Sequence, residues 1–171
     1  MYSEEHVYLE DEYATGFIKY YKESKYAFVA LLPKEGIKVS DYVAMLSADG
    51  LHQMLSNAKR TVVNARLPKF KTEYDILLND VLVQMGMIDA FSSDDADFSN
   101  MAVSDDGNIF ISRVLHKTFI SVDEQGTKAG AATAVETMDS AMLITESYDV
   151  FLDRPFVYIL IDCETNQPFF I

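Results

Sequence analysis

A stretch of small and polar residues near the carboxyl end of the chain constrains the possible folds more than any other feature. Residues 126–147 read GTKAGAATAVETMDSAMLITES and carry no apolar pattern that could face a core. The longest strand pattern of the chain precedes this stretch at residues 108–126, and the very apolar segment VFLDRPFVYILID follows it at residues 150–162. A segment that cannot bury its own side chains must lie at the surface, so we expect an exposed loop between two strands.

The same stretch alternates in a way that would suit a strand added to a sheet. If residues 127–138 were extended, one face would carry only small or β-branched side chains, namely Thr127, Ala129, Ala131, Thr133, Val135 and Thr137. The opposite face would carry Lys128, Glu136 and Met138. Both charges could stay in water while the small side chains became buried. A flexible linker is the alternative for such a composition.

The remainder of the chain alternates short strand and helix patterns. Two aromatic-rich stretches around the turn Lys22-Glu23-Ser24 predict a strand hairpin within residues 17–33. Ser40 is a candidate N-cap for two short helices that a break near Asp49-Gly50 separates. We further expect a strand at 61–71, a helix at 75–87, an acidic surface loop at 89–107 and a long strand at 108–126.

Composition and charge argue against several classes of function. A chain of 171 residues that is 49% hydrophobic suits one domain with an ordinary core. The formal net charge of −13, with no cluster of Lys and Arg, argues against a nucleic-acid partner. No apolar run approaches the roughly 18 residues of a membrane span, and the acidic start lacks the features of a signal peptide. We therefore expect neither nucleic acid nor membrane as a partner.

No catalytic or metal-binding motif is present in the sequence. His6, His52 and His116 lie far apart, without a Cys or a second His at ligand spacing. The acidic run from Asp95 lacks the glycine and glutamate that a calcium loop requires at its sixth and twelfth positions. Cys163 is the single cysteine, so no internal disulfide can form, and we interpret it as a small core residue. These patterns predict no enzyme activity, no metal and no cofactor; a hydrolase or metal enzyme is the rival reading.

Several successive segments resemble the serpin family, and they occur in the family's order. They are EDEYATGFIKYYKESKYAFVALLPKEG, ARLPKFKTEYDILLNDVLVQMGMIDAFSSDDADFS, RVLHKTFISVDEQG, the hinge-like VDEQGTKAGAATAV and FLDRPFVYILIDCETNQPFF. The resemblance spans nearly the whole chain and implies an α+β serpin fold with several mixed sheets and surrounding helices. Serpins are longer than this chain, so residues 1–171 would form the carboxyl-terminal part of a single partial domain.

The resemblance also implies a function. A serpin presents a reactive-centre loop, here at about residues 124–148, to a serine protease. The protease cuts the loop, and the loop then inserts into the main sheet with the protease still attached, which makes the inhibitor a suicide substrate. The implied partner is a serine protease, with a cysteine protease as a further target class, and we expect an extracellular monomer. The alternatives are a non-inhibitory serpin that acts as carrier or chaperone, and an inactive fragment of an inhibitor.

The resemblance assigns roles to individual residues. Glu124 would begin the hinge, Gly126 and Thr127 would enter the sheet first, and the small-residue run would include Ala129, Ala131, Ala132 and Thr133. Counting forward at the usual spacing places the reactive bond between Ser140 and Ala141, with Met142-Leu143 as the alternative. His116 matches the family's buried shutter histidine, and Lys69 matches a lysine that pairs with the hinge glutamate.

The reactive-bond candidates predict the type of target. No Lys or Arg occurs between Ala129 and Asp153. Trypsin-like enzymes require a basic residue for their acidic specificity pocket. Small and apolar residues at the bond instead favour elastase-like, chymotrypsin-like or subtilisin-like proteases.

Overall fold

A computed structural model describes residues 1–123, the backbone of 126–127, and residues 146–171. In these ranges the chain forms ten strands, three α-helices and two short 3-10 turns. Their bounds are β1 Tyr2–Glu10, β2 Ala14–Tyr20, a turn at Lys22–Ser24, β3 Tyr26–Pro33, α1 Val39–Met45, α2 Ala48–Ser56, β4 Lys59–Arg66, β5 Phe70–Leu77, α3 Asn79–Gln84, a turn at Asp89–Phe91, β6 Leu115–Asp123, β7 Gly126–Thr127, β8 Ser147–Phe151, β9 Val157–Asp162 and β10 Pro168–Phe170.

The strands build two sheets. Seven of them follow the order β10-β9-β3-β2-β1-β4-β8, and the other sheet has the order β5-β6-β7. All the register pairs described in the larger sheet are antiparallel except β4 with β8, which run parallel. The chain divides into two compact units, one formed by residues 1–70 and 121–171 and the other by residues 71–120.

The core of the first unit lies where α1 and α2 cover one face of the larger sheet. Alternate residues of β3, namely Ala27, Val29 and Leu31, face this core, which also contains Val7, Leu9, Ala14, Ile18, Tyr42, Leu51, Met54, Val157, Ile159 and Ile161. The intervening residues of β3 are buried as well, with Phe28 1% and Ala30 0% exposed. Aromatic rings cover this second face, where Tyr158 stacks on Phe28 at 6.0 Å between ring centroids. Burial on both faces explains why the sequence of β3 is continuously apolar.

Gly16 fixes how closely β2 approaches β3. A Cβ atom at this position would lie 2.2 Å from the carbonyl oxygen of Ala30 and 2.9 Å from the Leu31 side chain. Only glycine therefore fits at this point of the β2–β3 ladder.

The predicted strand hairpin is confirmed, since β2 and β3 pair across the turn at Lys22–Ser24. The predicted helix start at Ser40 is wrong, because α1 begins at Val39 after Lys38. The break between the two helices lies at Leu46-Ser47 and not at Asp49-Gly50. There the Ser47 hydroxyl accepts a hydrogen bond from the Gly50 amide at 3.0 Å, which caps α2.

Two further predictions were wrong at their boundaries. The expected helix at 75–87 is preceded by strand β5, which continues to Leu77, so α3 covers only Asn79–Gln84. The long strand expected from residue 108 begins only at Leu115. The Asn79 side chain explains this delay, since its amide donates to the Ser112 carbonyl at 3.0 Å and its oxygen accepts from the Val114 amide at 2.8 Å. These side-chain bonds occupy backbone groups that a ladder would otherwise use.

Strand β1 was not predicted. Its residues Val7, Tyr8 and Leu9 are all buried, so the segment lacks the alternation that marks a half-buried strand. The expected strand at 61–71 is divided between β4 and β5, with Pro68 in the connection. Proline has no amide hydrogen for a ladder, which favours a break there.

Candidate functional site

The amino-terminal end of the predicted reactive-centre loop is a two-residue strand. β7 pairs antiparallel with the end of β6, with Asp123 opposite Gly126 and Val122 opposite Thr127. The backbone of the predicted hinge therefore turns back along the strand from which it departs. β7 is the outer strand on this side of the three-stranded sheet.

β6 itself has a buried and an exposed face at this end. Ile120 and Val122 are 1% and 3% exposed, whereas Leu115 and Phe119 are 47% and 46% exposed. The period of two along the strand accounts for the difference between Phe119 and its neighbour Ile120. A strand that continued from β7 would thus run beside a strand with one apolar, buried face.

The other predicted loop residues lie outside the described residues. This holds for Glu124, Ala129, Ala131, Ala132 and Thr133 of the hinge and for Ser140, Ala141, Met142 and Leu143 around the reactive bond. The predicted loop end at 148 overlaps β8, because Ser147 and Tyr148 already pair with Val62 and Val63 of β4.

The structure gives the positions of the two residues predicted to control the conformation. Lys69 is exposed in the short connection between β4 and β5, while its predicted partner Glu124 is outside the described residues. His116 is exposed near the start of β6, whereas the resemblance implied a buried histidine. Since β7 pairs only with the last two residues of β6, no described strand covers that side of β6 at His116. The control role of both residues stays a prediction.

Residues 146–149, at the carboxyl-terminal end of the predicted loop, form hydrogen bonds with β4. The Thr61 hydroxyl donates to the Glu146 carbonyl at 2.7 Å, and the Asn64 amide donates to the Asp149 carboxylate at 2.7 Å. Tyr2 supports this arrangement by donating its hydroxyl to the Asn64 side-chain oxygen at 3.1 Å. Sequence reasoning missed these residues, because their proximity depends on the parallel pairing of β4 with β8.

An aromatic contact connects β8 to a strand with which it does not pair. The rings of Tyr8 in β1 and Tyr148 in β8 stack with 3.9 Å between centroids and 16° between planes. The Lys59 ammonium lies 5.8 Å from the centroid of Tyr8 and 5.7 Å from that of Tyr148. We call Tyr8, Tyr148 and Lys59 the tyrosine anchor.

Burial, followed by the charges of Glu10 and Tyr148, raises the pKa of Tyr8 to about 12. The Tyr8 phenol therefore remains protonated at neutral pH, so no negative charge develops within the stack. The tyrosine anchor could not be predicted from the sequence. It depends on the strand order β1-β4-β8, and the sequence spacing of Tyr8 and Tyr148 does not indicate that order.

Cationic side chains also hold the end of β8 and the turn that follows it. The Arg66 guanidinium lies 4.4 Å from the centroid of the Phe151 ring, and the Leu152 amide donates to the Arg66 carbonyl at 2.8 Å. Arg154 donates two hydrogen bonds to the Pro33 carbonyl, at 2.9 and 3.3 Å. The exit from β8 is thereby attached to both β4 and the end of β3.

Cys163 follows β9 directly and packs, half-buried, against the core of the first unit. Desolvation, with the neighbouring Asp162 charge as a second cause, raises the pKa of its thiol.

Within residues 1–123 and 146–171 no three His, Cys, Asp or Glu side chains are grouped so that they could hold a metal ion. In the same part of the chain, no helix has both the length and the apolar character needed to cross a membrane.

Comparisons with known proteins agree on one family. Residues 1–171 match the serpin family, described as serine protease inhibitors. Iris from Ixodes ricinus is 40% identical over 141 residues, which are 82% of this chain and 37% of Iris. The leukocyte elastase inhibitor of Xenopus laevis is 40% identical over 115 residues, which are 67% of this chain and 29% of that protein.

A solved structure shows the same fold. The native state of tengpin, a thermophilic serpin, superimposes with a TM-score of 0.82 at 50% sequence identity, covering 98% of this chain and 43% of tengpin. The two sheets and the helices of the described residues are thus a portion of the serpin fold. The chain belongs to the serpin family, and it spans well under half the length of these relatives.

Proposed function

We propose that the protein that carries this sequence inhibits a serine protease as a suicide substrate, through cleavage of the loop between β6 and β8 and insertion of its amino-terminal part beside β6. The observation that supports this most is the antiparallel pairing of Gly126 and Thr127 with the last residues of β6. Addition of a strand to β6 would only have to extend a ladder whose first pairs are already formed.

The strand register supports the alternation proposed from the sequence, in which the small side chains of residues 127–138 all lie on one face. Thr127 lies opposite Val122, and continued pairing would bring Ala129 opposite Ile120. Val122 and Ile120 are the buried residues of β6. Directly opposite residues of an antiparallel pair face the same side, so the small residues of the loop would be the ones to enter the buried face.

The energy of insertion is sufficient to drive a large change. About ten new ladder hydrogen bonds at about 1 kcal/mol each would stabilise the cut form by about 10 kcal/mol. That is as large as the stability of a typical domain. A gain of this size makes insertion effectively irreversible once it has occurred. The protein acts as an inhibitor and not as a substrate only if insertion is also faster than hydrolysis of the acyl-enzyme ester.

We place the reactive bond between Ser140 and Ala141, with Met142-Leu143 as the alternative. The target would be an elastase-like, chymotrypsin-like or subtilisin-like protease. The name of the Xenopus laevis relative gives elastase as the enzyme that relative inhibits, which is compatible with this choice. Inhibition of a cysteine protease, the extracellular location and the monomeric state stay predictions.

A protease panel tests the proposal. The protein is incubated with an elastase-like, a chymotrypsin-like and a subtilisin-like protease and with trypsin, and the products are separated on a denaturing gel. We expect a covalent complex with at least one of the first three enzymes and no fast inhibition of trypsin through the loop, which has no basic residue after Lys128. Cleavage of the loop by every enzyme without any complex would instead favour a non-inhibitory carrier or chaperone.

A further inference from the structure

Strand β8, which follows the predicted loop, has little support from other strands. It has five residues, lies at the edge of the larger sheet and pairs with β4 alone among the described strands. Short edge strands with a single partner open at low free energy. If β8 left β4 while the loop was uncut, the loop would gain enough slack to extend β7 along β6 without a protease.

The tyrosine anchor acts against this opening from outside the β4–β8 ladder. Tyr148 is the second residue of β8, and Tyr8 is only 4% exposed within β1. β1 is held on both sides, by β2 and by β4, so the stack ties an edge strand to an interior one. The hydrogen bonds from Thr61 and Asn64 are exposed and compete with water, whereas the stack buries the face of Tyr8.

We infer that Tyr8, Tyr148 and Lys59 position the reactive-centre loop, by keeping β8 in the larger sheet for as long as the loop is uncut. Tyr148 supplies the ring on the loop side, Tyr8 supplies the fixed ring, and Lys59 lies near both. This role rests on the proposed function, because positioning matters only if the loop is presented to a protease.

The first arm of the test measures amide hydrogen exchange of β8 in the uncut protein. Tyr148→Ala should raise exchange of residues 147–151 about fivefold to tenfold, the range expected for loss of a buried ring pair. Lys59→Met, the milder variant, should raise it about twofold to threefold. Tyr148→Phe keeps the ring and should restore the wild-type rate.

Two controls distinguish a local effect on β8 from a general destabilisation of the protein. Lys71 lies 5.1 Å from the Phe119 ring centroid in the other unit, so Lys71→Met removes a similar lysine–ring contact and should leave exchange of residues 147–151 unchanged. Exchange of β10, the opposite edge of the same sheet, should remain unchanged in every variant. Equal exchange of β8 in Tyr148→Ala and wild type, or equal rises in β8 and β10, would overturn the inference.

The second arm measures function during storage. The uncut proteins are incubated without protease, and the fraction still able to form covalent complex is followed with time. This fraction should fall about fivefold to tenfold faster for Tyr148→Ala than for wild type and Tyr148→Phe, in step with the opening of β8. Faster exchange of β8 with an unchanged loss of complex-forming protein would show that the anchor does not position the loop. If wild type forms no complex at all, the proposed function fails, and the exchange arm still decides whether the anchor holds β8.

Discussion

Lys69 and Glu124 are the residues of opposite charge that the serpin resemblance assigns to the base of the loop. Lys69 is exposed between β4 and β5, and Glu124 follows the last residue of β6. If they pair, a double-mutant cycle with Lys69→Met and Glu124→Gln should give a coupling of about 0.5–1 kcal/mol in the free energy of unfolding of the uncut protein, the upper part of the range for ion pairs at the surface.

The exposed pair Lys71–Glu73, at 3.1 Å with side chains 62% and 70% exposed, is the matched control. Its coupling should be close to zero. Additive effects of the Lys69 and Glu124 substitutions would mean that the hinge is closed by other contacts.

Among the strands, the proposed mechanism depends on which loop residue enters the sheet first. Thr127 pairs with Val122, a buried residue of β6, so Thr127→Arg would bring an unpaired charge to the buried face at the first step of insertion. A penalty of about 3 kcal/mol slows insertion more than a hundredfold, which gives the protease time to hydrolyse its ester. We expect Thr127→Arg to turn the inhibitor into a substrate, measured as the ratio of cleaved protein to covalent complex.

Lys128→Arg is the control for this substitution, because Lys128 is predicted to remain in water and keeps its charge. Its ratio of cleaved protein to complex should match that of wild type. A wild-type yield of complex from Thr127→Arg would show that the loop does not insert in the proposed register.

The elements also show where sequence patterns succeed. The β2–β3 hairpin was predictable because its turn is polar and both strands are rich in aromatic and aliphatic residues. The start of β6 was not, since Asn79, more than thirty positions away, binds the backbone of Ser112 and Val114. β1 was not predicted because both of its faces are buried around Tyr8, so its sequence does not alternate between apolar and polar residues. The local period of apolar residues indicates which face of an element is buried. It does not indicate contacts with residues that are distant in sequence, such as Asn79.

In the molecule as a whole, the family was predictable from the sequence, and the contacts of β8 with β4 and β1 were not. The predicted position of the loop rests on the small-residue stretch between two strong strand patterns, and this prediction needs no knowledge of strand order. The contacts that hold its carboxyl-terminal end, from Thr61, Asn64 and Tyr8 to β8, exist only because β8 runs parallel to β4. That pairing joins segments about eighty-five residues apart in sequence, which no short-range pattern reveals.

The stability of the protein before and after cleavage shows whether the cut loop inserts into the sheet. The protein is cut once within the loop by a protease that forms no covalent complex with it and is then removed, and the free energy of unfolding of cut and uncut protein is measured by denaturant titration. Insertion beside β6 predicts that the cut protein is the more stable by several kcal/mol, with about 10 kcal/mol as the scale, and that Thr127→Arg reduces this gain by about 3 kcal/mol. Equal or lower stability of the cut wild-type protein would contradict insertion, and with it the suicide-substrate mechanism.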